Sequence, residues 1–139
     1  MDKVLCAIRG GEEGYRTQEA AAALAVERGA ELVFLVVLET AFLPEQGSGG
    51  LDMRGTLTRM GNSLLFHAAE RARHLGVEAR GVLREGHPRE QIQAAVRDEG
   101  ASIVVLGRPQ GRYDKFSLTS LEDFAAEIAE STGAEVKIL

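Results

Sequence analysis

Two short stretches hold the residues whose types and spacing could do chemistry. The first is Arg9-Gly10-Gly11, directly after the apolar run Val4 to Ile8. The second begins with Gly107-Arg108, directly after Ile103 to Leu106, and continues through Gly111, Arg112 and Lys115 to Ser120 at a helix opening. A buried strand, a glycine-bearing loop and a helix N-terminus together form a pocket for an anion, often a phosphate. Free N–H groups and the positive end of the helix dipole converge there. Gly107 can take backbone angles closed to other residues. Arginines are donor-only and grip a phosphate or carboxylate through paired N–H groups. The ligand-binding candidates are therefore Arg9, Gly10, Gly11, Gly107, Arg108, Gly111, Arg112 and Ser120.

Acidic residues work against an anion in the same place. Thr119 and Glu122 have the spacing of a capping box, in which side chains satisfy the helix's own free N–H groups. Asp123 adds a second carboxylate that repels a triphosphate. Arg9 then has two readings: it holds a phosphate or carboxylate, or it pairs with Asp114, Glu122 or Asp123 and closes the crevice. Arg108, Arg112 and Lys115 likewise read either as ligand contacts or as a solvated loop.

Other chemistries find no support. His67 and His74 are seven residues apart on one helix, about 10.5 Å along its axis, too far to share one metal ion. His87 precedes Pro88 and borders a helix. No phosphate-loop signature, dinucleotide fingerprint or nucleophile elbow occurs, and no metal site is expected. The net charge of −5 and pI near 5.3 argue against nucleic acid as a partner. No apolar run reaches the roughly 20 residues of a membrane span, and the N-terminus lacks a signal-peptide pattern, so a cytoplasmic protein is expected. Cys6, the single cysteine, lies in an apolar run and reads as a small core residue.

The elements that must position these residues follow from periodicity. Val4 to Ile8 reads as a buried strand, and a helix runs from about Glu13 to Arg28 with Gly29 at its C-terminal cap. Leu32 to Leu38 is an unbroken apolar strand. Glu39 to Gly55, with Pro44, Phe42, Leu43 and a cluster of glycines, reads as one long loop. A helix covers most of residues 56 to 75, its first half weakened by Gly61. Val77 to Arg84 forms a charged strand, and Pro88 opens a helix ending at Gly100. After the strand Ile103 to Leu106, a last helix ends near Thr132 and a final strand spans Glu135 to Leu139. Strands alternating with helices call for a doubly wound parallel sheet in one α/β domain, residues 1–139. Strands one, two and four are continuously apolar and belong in the centre, while three and five carry charges and belong at the edges. The order 3-2-1-4-5 meets this and reverses between strands one and four, where such sheets bind ligands.

The whole chain resembles the universal stress protein family. MDKVLCAIRGGEEG is similar to its first strand and acidic turn, and GAELVFLVVL to its second strand. GVEARGVLREGHPREQI is close to its glycine-x-proline helix opening, and SIVVLGRPQGR to its fourth strand and glycine loop. The resemblance implies an adenine-nucleotide alpha-hydrolase-like fold and homodimers joined through the last strand, Glu135 to Leu139. It also implies two subclasses, one binding ATP between strands one and four, the other without the motif. The binding subclass carries Asp after strand one, then Gly, two residues, Gly, nine residues, and Gly followed by Ser or Thr. Here Arg9 takes the Asp position and three residues separate Gly107 from Gly111; where Gly-Ser or Gly-Thr is expected, the count from Gly111 lands on Leu121 and the count back from the C-terminus on Glu122 and Asp123, with Thr119 and Ser120 the nearest hydroxyls. The resemblance thus points to a cytoplasmic binding or regulatory protein, acting with a partner protein rather than by turnover, in a degenerate nucleotide pocket where ATP binds weakly or not at all. A genuine ATP, AMP or cyclic AMP binder with slow phosphohydrolase activity is one alternative. A sensor of a smaller anion in the same crevice is another.

Overall fold

The computed structural model describes residues 2–8, 13–39, 52–108 and 118–139. Five strands alternate with four helices: β1 Lys3–Ala7, α1 Glu13–Arg28, β2 Glu31–Leu38, α2 Met53–His74, β3 Ala79–Glu85, α3 Pro88–Glu99, β4 Ile103–Leu106, α4 Leu118–Thr132 and β5 Glu135–Ile138. The sheet is parallel throughout in the order β3-β2-β1-β4-β5, as the strand patterns require. Val4 lies opposite Leu32 on one side and Ile103 on the other.

Side chains alternate between two cores because successive Cβ atoms leave opposite faces of a strand. Val4, Cys6, Phe34, Val36, Ile103 and Val105 pack under α1 and α2 through Ala21, Ala25, Leu65 and Ala68. Leu5, Leu35, Val104 and Leu106 pack under α3 and α4 through Val96, Phe124 and Ile128. Two-sided burial is why β1, β2 and β4 must be apolar at every position. β3 and β5 are covered less fully, and the arginines of β3 meet α3: Arg80 pairs with Glu99 and Arg84 with Asp98. Cys6 is fully buried, and burial pushes its thiol up to about 12.

Some element bounds differ from the sequence reading. α2 starts at Met53, where the Asp52 carboxylate accepts from the Gly55 N–H at 2.8 Å. β3 starts at Ala79, and Leu139 lies beyond β5 although its N–H still donates to the Leu106 carbonyl at 2.9 Å. Of the expected long loop, residues 40–51 lie outside the described residues. Gly61 is not a weak point. It is buried where α2 crosses the sheet, and a Cβ there would come within 2.7 Å of Leu83 Cδ1.

Candidate functional site

The site predicted at the strand-order reversal begins with how β1 and β4 end. Continuing the register that places Cys6 opposite Val105 brings Ile8 level with Gly107. The Ile8 N–H donates to the Leu35 carbonyl at 2.8 Å, tying the end of β1 toward β2. The Arg108 N–H donates to the Leu139 carbonyl at 3.0 Å, tying the end of β4 toward β5. The reversal of strand order thus falls between the carboxyl ends of β1 and β4, the crevice where doubly wound sheets hold ligands.

Of the eight candidate residues, Gly107, Arg108 and Ser120 are described; Arg9, Gly10, Gly11, Gly111 and Arg112 lie outside the described residues, as do Asp114 and Lys115. Gly107 is half-buried at the crevice mouth. Arg108 is exposed, with its Nη2 3.5 Å from the Ile138 carbonyl, on the β5 side of β4. To contact a ligand between β1 and β4 its guanidinium must leave Ile138. Ser120 is the third residue of α4.

The helix opening differs from the capping-box reading. α4 already begins at Leu118, so Thr119 is inside the helix, and no acidic residue falls in the first turn. Glu122 and Asp123 are exposed in the second turn, about 6 Å further along the axis from Leu118. Their repulsion on a phosphate at the helix start is weaker than a first-turn placement would give, because distance and solvent both reduce it.

One cation near this opening escapes the sequence reading. Arg89, the second residue of α3, has its Nη2 3.5 Å from the Ser120 carbonyl and its guanidinium 5.2 Å from the Phe124 ring centroid. Helix α3 packs beside α4, so Arg89 brings positive charge to the first turns of α4. The available signal was topological: helices three and four of this strand order share one face of the sheet. A second polar junction fixes the start of α1. The Gln18 side-chain carbonyl accepts from Arg71 Nε at 3.2 Å and Nη2 at 2.7 Å, and the Arg71 guanidinium lies 3.9 Å from the Tyr15 ring centroid. Buried Thr17 donates to the Leu139 carbonyl at 3.3 Å. These contacts position the helix that follows Arg9, Gly10 and Gly11.

His67 and His74 are exposed on α2, and His87 occupies the N-cap position of α3 without a side-chain capping bond. Among the described residues no three histidine, cysteine or acidic side chains form a group that could hold a metal, and no helix is long and apolar enough to cross a membrane.

Residues 1–123 match the model of the universal stress protein family. Universal stress protein YxiE of Bacillus subtilis is 29% identical over 116 residues, which cover 77% of this chain and 78% of that protein. A universal stress protein family structure from Burkholderia pseudomallei superposes with a TM-score of 0.73 at 21% identity, covering 99% of this chain and 95% of the other. A universal stress protein in complex with cAMP superposes with a TM-score of 0.72 at 18% identity, covering 99% and 96%.

Proposed function

Because the chain belongs to the universal stress protein family, we propose that the crevice between β1 and β4 is a nucleotide-type site whose affinity for ATP is weak. The protein then acts as a regulatory binder rather than through turnover. The observation that carries this reading is Arg9 in place of an acidic residue immediately after Ile8. A carboxylate there can accept from a nucleoside hydroxyl, whereas a guanidinium has no acceptor. Glu122 and Asp123 add a lesser penalty from the second turn of α4.

A second reading is favoured by Arg89. A cation beside the first turns of α4 supports an anion smaller than a triphosphate, and solved structures of this fold are complexes with cAMP, dAMP and AMP. In this reading the site takes an adenine mononucleotide or another small anion. Pairing of two copies through the edge Glu135 to Leu139, a regulatory protein partner and a cytoplasmic location complete the proposal.

Calorimetric titration of the full chain with ATP, AMP and cyclic AMP tests it. The expected ATP dissociation constant is weaker than about 100 μM, a binding free energy of about −5.5 kcal/mol or less in magnitude. Micromolar ATP binding overturns the first reading, and selective binding of AMP or cyclic AMP selects the second. Arg9→Asp alone is expected to strengthen ATP binding only in part, because Glu122 and Asp123 remain.

A further inference from the structure

The helices carry unequal charge. α4 holds Glu122, Asp123, Glu127 and Glu130 with no lysine or arginine. α2 holds Arg54, Arg59, Arg71 and Arg73 and two histidines against Glu70 alone. α2 lies over β2 and β3 on one face of the sheet, and α4 lies beside β5 on the other. The basic and acidic helices therefore sit at diagonally opposed corners of the molecule.

The two outward faces also contrast in side-chain size. On α2, Met60 and Phe66 are 59% and 62% exposed, and the Phe66 ring meets His67 edge-on at 5.6 Å. Helical spacing places Met60, Ser63, Phe66, His67 and Glu70 on one surface, with Arg59 and Arg73 along its Phe66 edge. Arg73 pairs with Glu70, and Arg59 donates to Thr56. On α4, exposed Thr119 and Ala126 lie along the middle of the outward face, between exposed Glu122 on one side and Asp123 and Glu130 on the other. Gln93 already reaches Glu127 at 3.5 Å. Met60 and Phe66, with Arg59 and Arg73 along one edge and Glu70 neutralised by Arg73, thus oppose a small-residue strip bordered by carboxylates.

We propose that the outward face of α2 docks on α4 of a second copy of this chain, with Met60 and Phe66 over Ala126 and the arginines facing Glu122 and Glu130. Because α2 and α4 lie at opposed corners, a pair of copies leaves one of each free, and the contact repeats from copy to copy as a ring or an open chain. It is separate from a symmetric pairing through the β5 edge.

Sedimentation velocity on the full chain tests the proposal. Three variants alter exposed positions: Phe66→Ser, Arg59→Glu with Arg73→Glu, and Glu122→Lys with Glu130→Lys. The expected result is species larger than a dimer at high protein concentration and low salt. High salt or any one of the three variants should weaken this association at least about tenfold. Mixing the two charge-reversed variants should recover it. A wild-type chain whose mass equals that of the Phe66→Ser variant at every concentration overturns the proposal. Association lost in the α2 variants but unchanged in the α4 variant also overturns it, assigning α2 to a symmetric contact instead.

Discussion

Replacing Arg71 with alanine removes the junction that fixes the start of α1, and the structure sets the size of the effect. Gln18 is 3% exposed, and its side-chain carbonyl accepts both Arg71 bonds, so the substitution strands a buried acceptor. That loss costs about 1–3 kcal/mol. Removing the guanidinium from the Tyr15 face, 3.9 Å from the ring centroid, adds about 0.5–1 kcal/mol. The sum is about 1.5–4 kcal/mol, or a fall in Tm of about 5–14 °C for a domain of this size. Urea unfolding followed by circular dichroism gives the free energy directly. A double-mutant cycle with Tyr15→Leu should return a coupling of about 0.5–1 kcal/mol. Arg71→Lys should recover only part of the loss, because an ammonium cannot present two fixed N–H groups to one oxygen. A loss below about 0.5 kcal/mol for Arg71→Ala would refute the argument, since the junction would then be no better than a surface contact.

Three further outcomes follow from the packing. Burial raises the Cys6 thiol from 9.0 to about 12, so its contribution is fully present below pH 9 and is lost as the pH rises toward 12. Unfolding free energy should fall with pH by up to about 1.4 kcal/mol per unit in that window, a slope that Cys6→Ala removes in urea titrations. Gly100 caps α3 at φ 66° with open space around its Cα, so Gly100→Ala should cost about 1–2 kcal/mol of backbone strain in thermal unfolding, without a packing defect. Gly61→Val should cost about 1–3 kcal/mol by forcing α2 off Leu83, Leu38 and Val36, measurable by the same method.

Much of the fold was legible because its signals are local and redundant. Two-sided burial leaves no polar position in Leu32 to Leu38 or Ile103 to Leu106, and the arginines of β3 declare an edge. Sheet order then follows from which strands tolerate charge. The site was less legible because its features depend on direction and distance between elements. Arg108 is at the expected position, yet its guanidinium lies on Ile138, and nothing in the order of residues decides which neighbouring strand a side chain turns to. Thr119 and Glu122 have capping-box spacing, but the helix already runs through Leu118, and spacing alone does not mark its first turn. Arg89 and the Gln18–Arg71 pair join residues 31 and 53 positions apart, and only packed helices bring them together. Gly61 read as a weakness because helix propensity was weighed without the sheet beneath it.

The most direct test of the central claim is electron density between Ile8 and Gly107 in crystals of the chain purified without added nucleotide. Weak affinity imposed by Arg9 and the second-turn carboxylates predicts no ordered triphosphate in that crevice. A fully ordered ATP, with its base between the ends of β1 and β4 and its phosphates at the start of α4, would contradict it.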